Sequence, residues 1–199
     1  MDRFTLKIFY LKRRVVFPYC TLAVVLKLTE DTKQIKQGDK LLAYTVRTLF
    51  DVIRYRNRIA TLSEVLDVAS DEQRVTVTLK GVTRVRIARI ISFKQADFTI
   101  LEKKGLKSND AIMDELRKKS QELIFLINVE ESDKLINLLN FIVDLNQMTD
   151  FISNYFIMDF RKRYGLYNTV DTKKRGQLLI KELADLIDKM AKKRKKTTL

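Results

Sequence analysis

Histidine and tryptophan are missing from this chain of 199 residues, and cysteine occurs once, as Cys20. Without an imidazole, Ser-His-Asp and Cys-His nucleophiles cannot be assembled. One thiolate also falls far short of the roughly four Cys or His ligands of a structural zinc site, and it forbids an internal disulfide. Set between Phe17-Pro18 and the apolar run Leu22–Leu26, Cys20 reads as a small buried thiol. Proline occurs once and glycine five times, so no Pro-, Gly- or Ser-rich linker divides the chain. Charges break every apolar run before it reaches the ~18 to 20 residues of a membrane-spanning helix. The opening Met1–Val16 is charged throughout, with no apolar block leading to a small-residue cleavage site. Neither a membrane span nor a secretory signal is expected, and a cytoplasmic setting is. No Gly-x-x-x-x-Gly-Lys-Ser/Thr phosphate loop is present. Carboxylate pairs such as Asp71-Glu72 and Glu130-Glu131 stand at turns or helix starts, where acids are ordinary. No catalytic residue, cofactor or metal ligand is expected, and the chain reads as a non-enzyme.

What the chain has in excess is positive charge: 39 Lys and Arg against 25 Asp and Glu, a formal +14. Such an excess suits a polyanion. About half of it lies in Lys173–Leu199, where ten basic residues face three acidic ones. Lys189, Lys192, Lys193, Arg194, Lys195 and Lys196 crowd the end of a helical pattern. That run fits a helix carboxyl end, which cations stabilise, and equally a salt-sensitive phosphate contact with RNA, DNA or acidic lipid. It carries no aromatic residue for base stacking.

The first hundred residues read as short strands: Leu6–Tyr10, Val15–Phe17, Leu22–Leu28 and, after a Gly38-Asp39 turn, Leu41–Val46. Val75, Val77 and Leu79 alternate with Arg74, Thr76, Thr78 and Lys80, a period of two. Gly81 follows, and Val85 and Ile87 then alternate with Arg84 and Arg86, which predicts a hairpin turning at Gly81. From about Ser108 the period becomes helical. The stripes Ile112/Leu116/Leu123/Ile127, Leu135/Leu138/Leu139/Ile142, Met148/Phe151/Ile152/Tyr155/Phe156 and Leu179/Leu183/Leu186/Met190 predict four helices. Ser132, Asn146 and Asp171 are the expected N-caps, and Gly165 the expected left-handed C-cap of the third helix. Strands grouped before helices make an α+β chain, with its joint near Lys103–Lys107.

Three segments in order, Val15-Val16-Phe17-Pro18, Phe50-Asp51-Val52 leading to Ile59-Ala60, and Val75–Ile87 with its Gly81-Val82-Thr83-Arg84, resemble the amino-terminal, substrate-binding domain of Lon proteases. Asp144–Ile152 and Asp171–Leu183 are similar to that family's later helices, so the resemblance runs from about residue 4 to 190. Ala23 stands where the family often has Pro, the connector Thr29–Lys40 is short, and Arg56-Asn57-Arg58 replaces a Gly-containing segment. The resemblance implies a PUA-like β pseudo-barrel over residues 1–104 and a helical bundle with a basic tail over 105–199. It marks Phe17, Pro18, Gly81 and Arg84 as structural motif residues. A free-standing copy of the module, without ATPase or protease parts, is expected to bind exposed segments of unfolded or partly folded polypeptide as a proteolysis adaptor; an excised piece or degenerate remnant of a complete Lon protease is the other reading of the resemblance. A protease or a second copy would be its other partners. The alternative is an RNA- or DNA-binding module using basic strand faces and the tail.

Two sets of side chains are candidate contacts. Arg54, Arg56 and Arg58 on one extended segment and Arg84 and Arg86 on another would form a strip of guanidinium forks for carboxylates or phosphates if the strands were neighbours. The plainer reading is the wet outer face of a barrel. Phe9, Tyr10, Phe17, Tyr19, Phe50 and Tyr55 would line an apolar groove, or belong to the core.

Overall fold

The computed structural model describes residues 4–48, 50–51, 58–101, 110–127 and 132–197. The chain divides into two compact units, Met1–Lys103 and Lys104–Leu199. The predicted joint near Lys103–Lys107 lies outside the described residues.

The first unit contains β1 (Phe4–Lys12), β2 (Thr21–Lys27), the one-turn α1 (Glu30–Lys33), β3 (Lys40–Val46), β4 (Ile59–Ser70), β5 (Arg74–Ser92) and β6 (Gln95–Ile100). The sheet order is β2-β5-β4-β3-β1-β6, and β6 also pairs with β5. That last pairing closes β5, β4, β3, β1 and β6 into a barrel and leaves β2 attached outside the ring, on the first half of β5. Only the β1–β3 ladder among these is parallel. The barrel closes because β5 bends: Val82 is an extra residue opposite β4, and the register against β6 slips again between Ile87 and Arg89. Val85 and Ile87 therefore join one core with Leu42, Tyr44 and Phe98, while Val75, Val77 and Leu79 join another with Leu11, Leu41 and Val65. β3 serves both, and its Leu41–Val46 is buried on each face.

The hairpin expected at Gly81 is absent: β5 runs unbroken through it. Gly81 is there because another backbone comes close. A Cβ on it would stand 2.2 Å from the Phe17 carbonyl oxygen. Val15–Phe17 is likewise no strand; it is a buried, irregular segment ending in an isolated bridge between Pro18 and Gly81. The real turn before β5 is the expected one. Asp71 Oδ1 accepts from the N–H groups of Gln73 and Arg74 at 2.8 and 2.7 Å, and these bonds, Gln73 first, hold its carboxyl below the usual carboxylate range. Gly38, at φ 85°, makes the other expected turn.

In the second unit the described residues form α2 (Asp110–Ile127), α3 (Ser132–Phe141), α4 (Leu145–Phe156), α5 (Phe160–Asn168) and α6 (Thr172–Thr197). This is five helices against the four expected, because the third pattern breaks after Phe156 and Asp159 caps a new helix through Lys162 N–H at 2.9 Å. Gly165 consequently lies inside α5 and caps nothing. Asp171 caps α6 as expected, accepting from Lys174 N–H at 2.8 Å. Asp144 caps α4 in place of Asn146. Asn146 is two residues too late for that task, and its Oδ1 accepts from Thr172 and from Arg175. The helices close on Leu116, Leu123, Ile124, Leu139, Met148, Ile152, Leu179 and Leu183.

Candidate functional site

The motif residues Phe17, Pro18 and Gly81 converge on one place. Tyr19, at φ 65°, turns the chain so that its N–H donates to Gly81 O at 2.8 Å, and Gly81 N–H donates to Cys20 O at 2.9 Å. Cys20 is buried, as expected. From this clamp β2 leaves along β5, pairing Thr21 with Lys80 and ending with Lys27 opposite Arg74. At the far end Leu28 N–H donates to Gln73 O at 2.9 Å.

The bonds at the two ends set the phase of the ladder. Alternate residues of an antiparallel pair exchange both bonds, so Leu22, Val24 and Leu26 face β5. The N–H and C=O groups of Ala23 and Val25 point the other way and meet no backbone partner among the described residues. The Thr32 hydroxyl donates to Lys27 O at 3.1 Å, which marks where this open edge stops. Natural edge strands are usually guarded by charge, Pro or a bulge. Between Thr21 and Lys27 this one has none of them, and the Val25 side chain is 53% exposed. Beside it a cleft is lined by Val25, Leu26, Lys27, Leu28, Glu72, Gln73 and Arg74.

The Arg candidates are scattered by comparison. Arg54 and Arg56 lie outside the described residues. Arg58 is exposed at the entry to β4, and Arg86 is exposed opposite Ile59. Arg84 is 7% exposed and sits opposite Thr61, whose hydroxyl donates to Val16 O at 2.7 Å. Its side chain shares the sheet face of Thr61, opposite to the barrel-core face of Val85 and Ile87. Among the aromatic candidates Phe17 is core, Phe9 and Tyr10 are half-buried, and Tyr19 and Phe50 are exposed, while Tyr55 lies outside the described residues.

In the tail, Lys189, Lys192, Lys193 and Arg194 are exposed on α6, and the side chains of Lys195 and Lys196 lie outside the described ones. Gly176 near the start of α6 abuts Ile112 and Leu116 of α2, and Arg194 near its end donates to Phe125 O at 3.4 Å. The two helices therefore run parallel, and their carboxyl ends meet. α2 has no basic residue in its own last turn, so cations of α6 stand at both negative ends. Arg175, counted with this basic stretch in the sequence, is buried instead. Its guanidinium donates to Thr149 Oγ1, Thr169 O and Asn146 Oδ1 at 3.0, 2.7 and 2.9 Å, and lies 3.6 Å from the buried Asp150 carboxylate.

Sequence reasoning missed the open edge. Leu22-Ala23-Val24-Val25-Leu26 is apolar throughout, which reads as a strand buried on both faces. The one signal present was that the only charge in Thr21–Lys27 is Lys27, at its end. Among the described residues no group of three or more Cys, Asp or Glu is placed to hold a metal, and no helix is long and apolar enough to cross a membrane.

No curated protein matches the chain at the sequence level. Among solved structures, the N-terminal domain of Lon protease from the Mycobacterium avium complex has a TM-score of 0.68 at 16% identity, covering 91% of this chain and 98% of that one. A Lon N-terminal domain protein from Xanthomonas campestris has a TM-score of 0.54 at 13% identity, covering 89% and 97%. These likenesses establish the fold, the expected β pseudo-barrel followed by a helical region. The sequence model of the ATP-dependent protease La (LON) substrate-binding domain matches residues 5–185. With nearly the whole chain matched, the protein belongs to the LON substrate-binding domain family.

Proposed function

We propose that this chain is a non-catalytic module that captures extended segments of unfolded or partly folded polypeptide by adding them as a strand to the open edge of β2. The observation that carries this reading is the outward N–H and C=O groups of Ala23 and Val25, in an edge strand whose one charge, Lys27, stands at its far end. Backbone pairing is indifferent to client sequence, which suits a binder of many partners, and the adjoining apolar side chains supply pockets for alternate client residues. Family membership supports a polypeptide as the ligand. On this reading the module acts as an adaptor that presents what it holds to a protease.

The test is a fluorescence titration of an unfolded polypeptide with the full chain and with Ala23→Pro. Pro is tolerated where a strand N–H faces outward, so this substitution removes the edge donor and keeps the β5 ladder, and circular dichroism verifies the fold. Salt-resistant binding that Ala23→Pro abolishes supports the reading. Binding unaffected by Ala23→Pro contradicts it. So does a chain that binds only RNA, steeply salt-dependent, and loses it on truncation after Asp188.

A further inference from the structure

We infer that the β2 edge selects extended segments in which an Asp or Glu flanks a run of neutral strand-forming residues, with Lys27 and Arg74 reading the carboxylate. This deepens the strand-capture reading and rests on it. Lys27 and Arg74 are directly opposite in the last row of the β2–β5 ladder, both are exposed, and both line the cleft beside the open edge. Like charges facing each other across a strand pair destabilise it. Elsewhere in the same sheet the rule is obeyed: Glu64 stands between Lys80 and Lys40 in neighbouring strands.

Among the residues that line the cleft, Glu72 is the one carboxylate beside two cations. Asp71, outside that lining, is fixed by two backbone N–H groups and offsets the Arg74 charge from the turn. A third strand laid along β2 would place a side chain next to Lys27 on the same face. Its residues two and four positions away would lie beside Val25 and Ala23. A carboxylate in the first position joins both cations, and small or β-branched neutral residues in the others extend the apolar surface of Val25. The site therefore has a direction and a composition: acidic at the Lys27 end, neutral and strand-forming toward Thr21.

Three fluorescent peptides, identical except for Glu, Gln or Lys at the flanking position, test this by anisotropy against the full chain and against Lys27→Gln/Arg74→Gln. Removing two opposed cations relieves repulsion, so the double variant is expected to melt no lower than the parent. Tighter binding of the Glu peptide than of the Gln peptide, by about fivefold at low salt and less at high salt, with the Lys peptide weakest, is the expected result. The preference should vanish in the double variant, and Lys27→Glu, which puts a carboxylate opposite Arg74, should reverse it. Equal affinity of the Glu and Gln peptides overturns the acidic preference and leaves strand capture standing. Failure of all three peptides to bind overturns both.

Discussion

Gly81 and Phe17 are so close that a methyl group on the first would lie 2.2 Å from the carbonyl oxygen of the second. The contact is backbone against backbone, so no side-chain rotation relieves it. Gly81→Ala must push apart the Phe17-Pro18 segment and the middle of β5, from which β2 departs. It is expected to cost about 3 kcal/mol or more, measured by denaturant unfolding, and to abolish polypeptide capture with it. Gly165→Ala, with open space around the new methyl and a helical backbone, should be neutral or slightly stabilising by the same measurement.

Arg175 and Asp150 are 1% and 0% exposed, and the pair ties α4 to the start of α6. Arg175→Leu leaves a carboxylate buried without its cation, which typically costs about 3 to 5 kcal/mol. Adding Asp150→Leu should recover a large part of the loss, since the uncompensated charge is the main penalty. Thermal and denaturant unfolding of the two singles and the double give the coupling directly.

Acid should loosen the β4–β5 turn. Asp71 is held below the usual carboxylate range by the N–H groups of Gln73 and Arg74 and by the Arg74 charge. A depressed acid contributes stability that is fully present above its unfolded value, ~4, and is lost as pH falls through the lowered folded value. Asp71→Asn keeps an oxygen for the two N–H groups and removes the titration. The melting temperature of the parent should fall more steeply than that of Asp71→Asn below about pH 4.

The basic end of α6 lies where the negative ends of two parallel helices meet, and Arg194 reaches Phe125 O. Lys193→Gln/Arg194→Gln should therefore lower the melting temperature by a few degrees at low salt, with a difference that shrinks as salt is added. An unchanged melting temperature would assign these cations wholly to an external partner.

Period-two alternation in Val75–Leu79 was legible, as were the Asp71 and Gly38 turns and the main helix stripes, because each is a local pattern. The failures came where one residue type serves two purposes. Gly81 carries the same letter whether it allows a turn or a close approach, and Gly165 reads as a cap until Asp159 is seen to start a helix beyond the break. Arg175 was hidden in Lys173-Lys174-Arg175, since only packing separates a buried guanidinium from its exposed neighbours. Arg84, read both as a candidate fork and as a structural motif residue, is likewise separated from the exposed Arg86 only by packing. β2 was legible as a strand and illegible as an edge: which of its sides lacks a partner is a property of sheet order, set by β5 pairing with β2, β4 and β6.

Backbone amide exchange along β2, read residue by residue by nuclear magnetic resonance with and without an unfolded polypeptide, tests the central claim most directly. In the free protein the amides of Leu22, Val24 and Leu26 should be protected and those of Ala23 and Val25 should exchange fast. Capture by strand addition should protect Ala23 and Val25 and leave the alternate three unchanged. Binding that leaves Ala23 and Val25 exchanging as fast as before would contradict it.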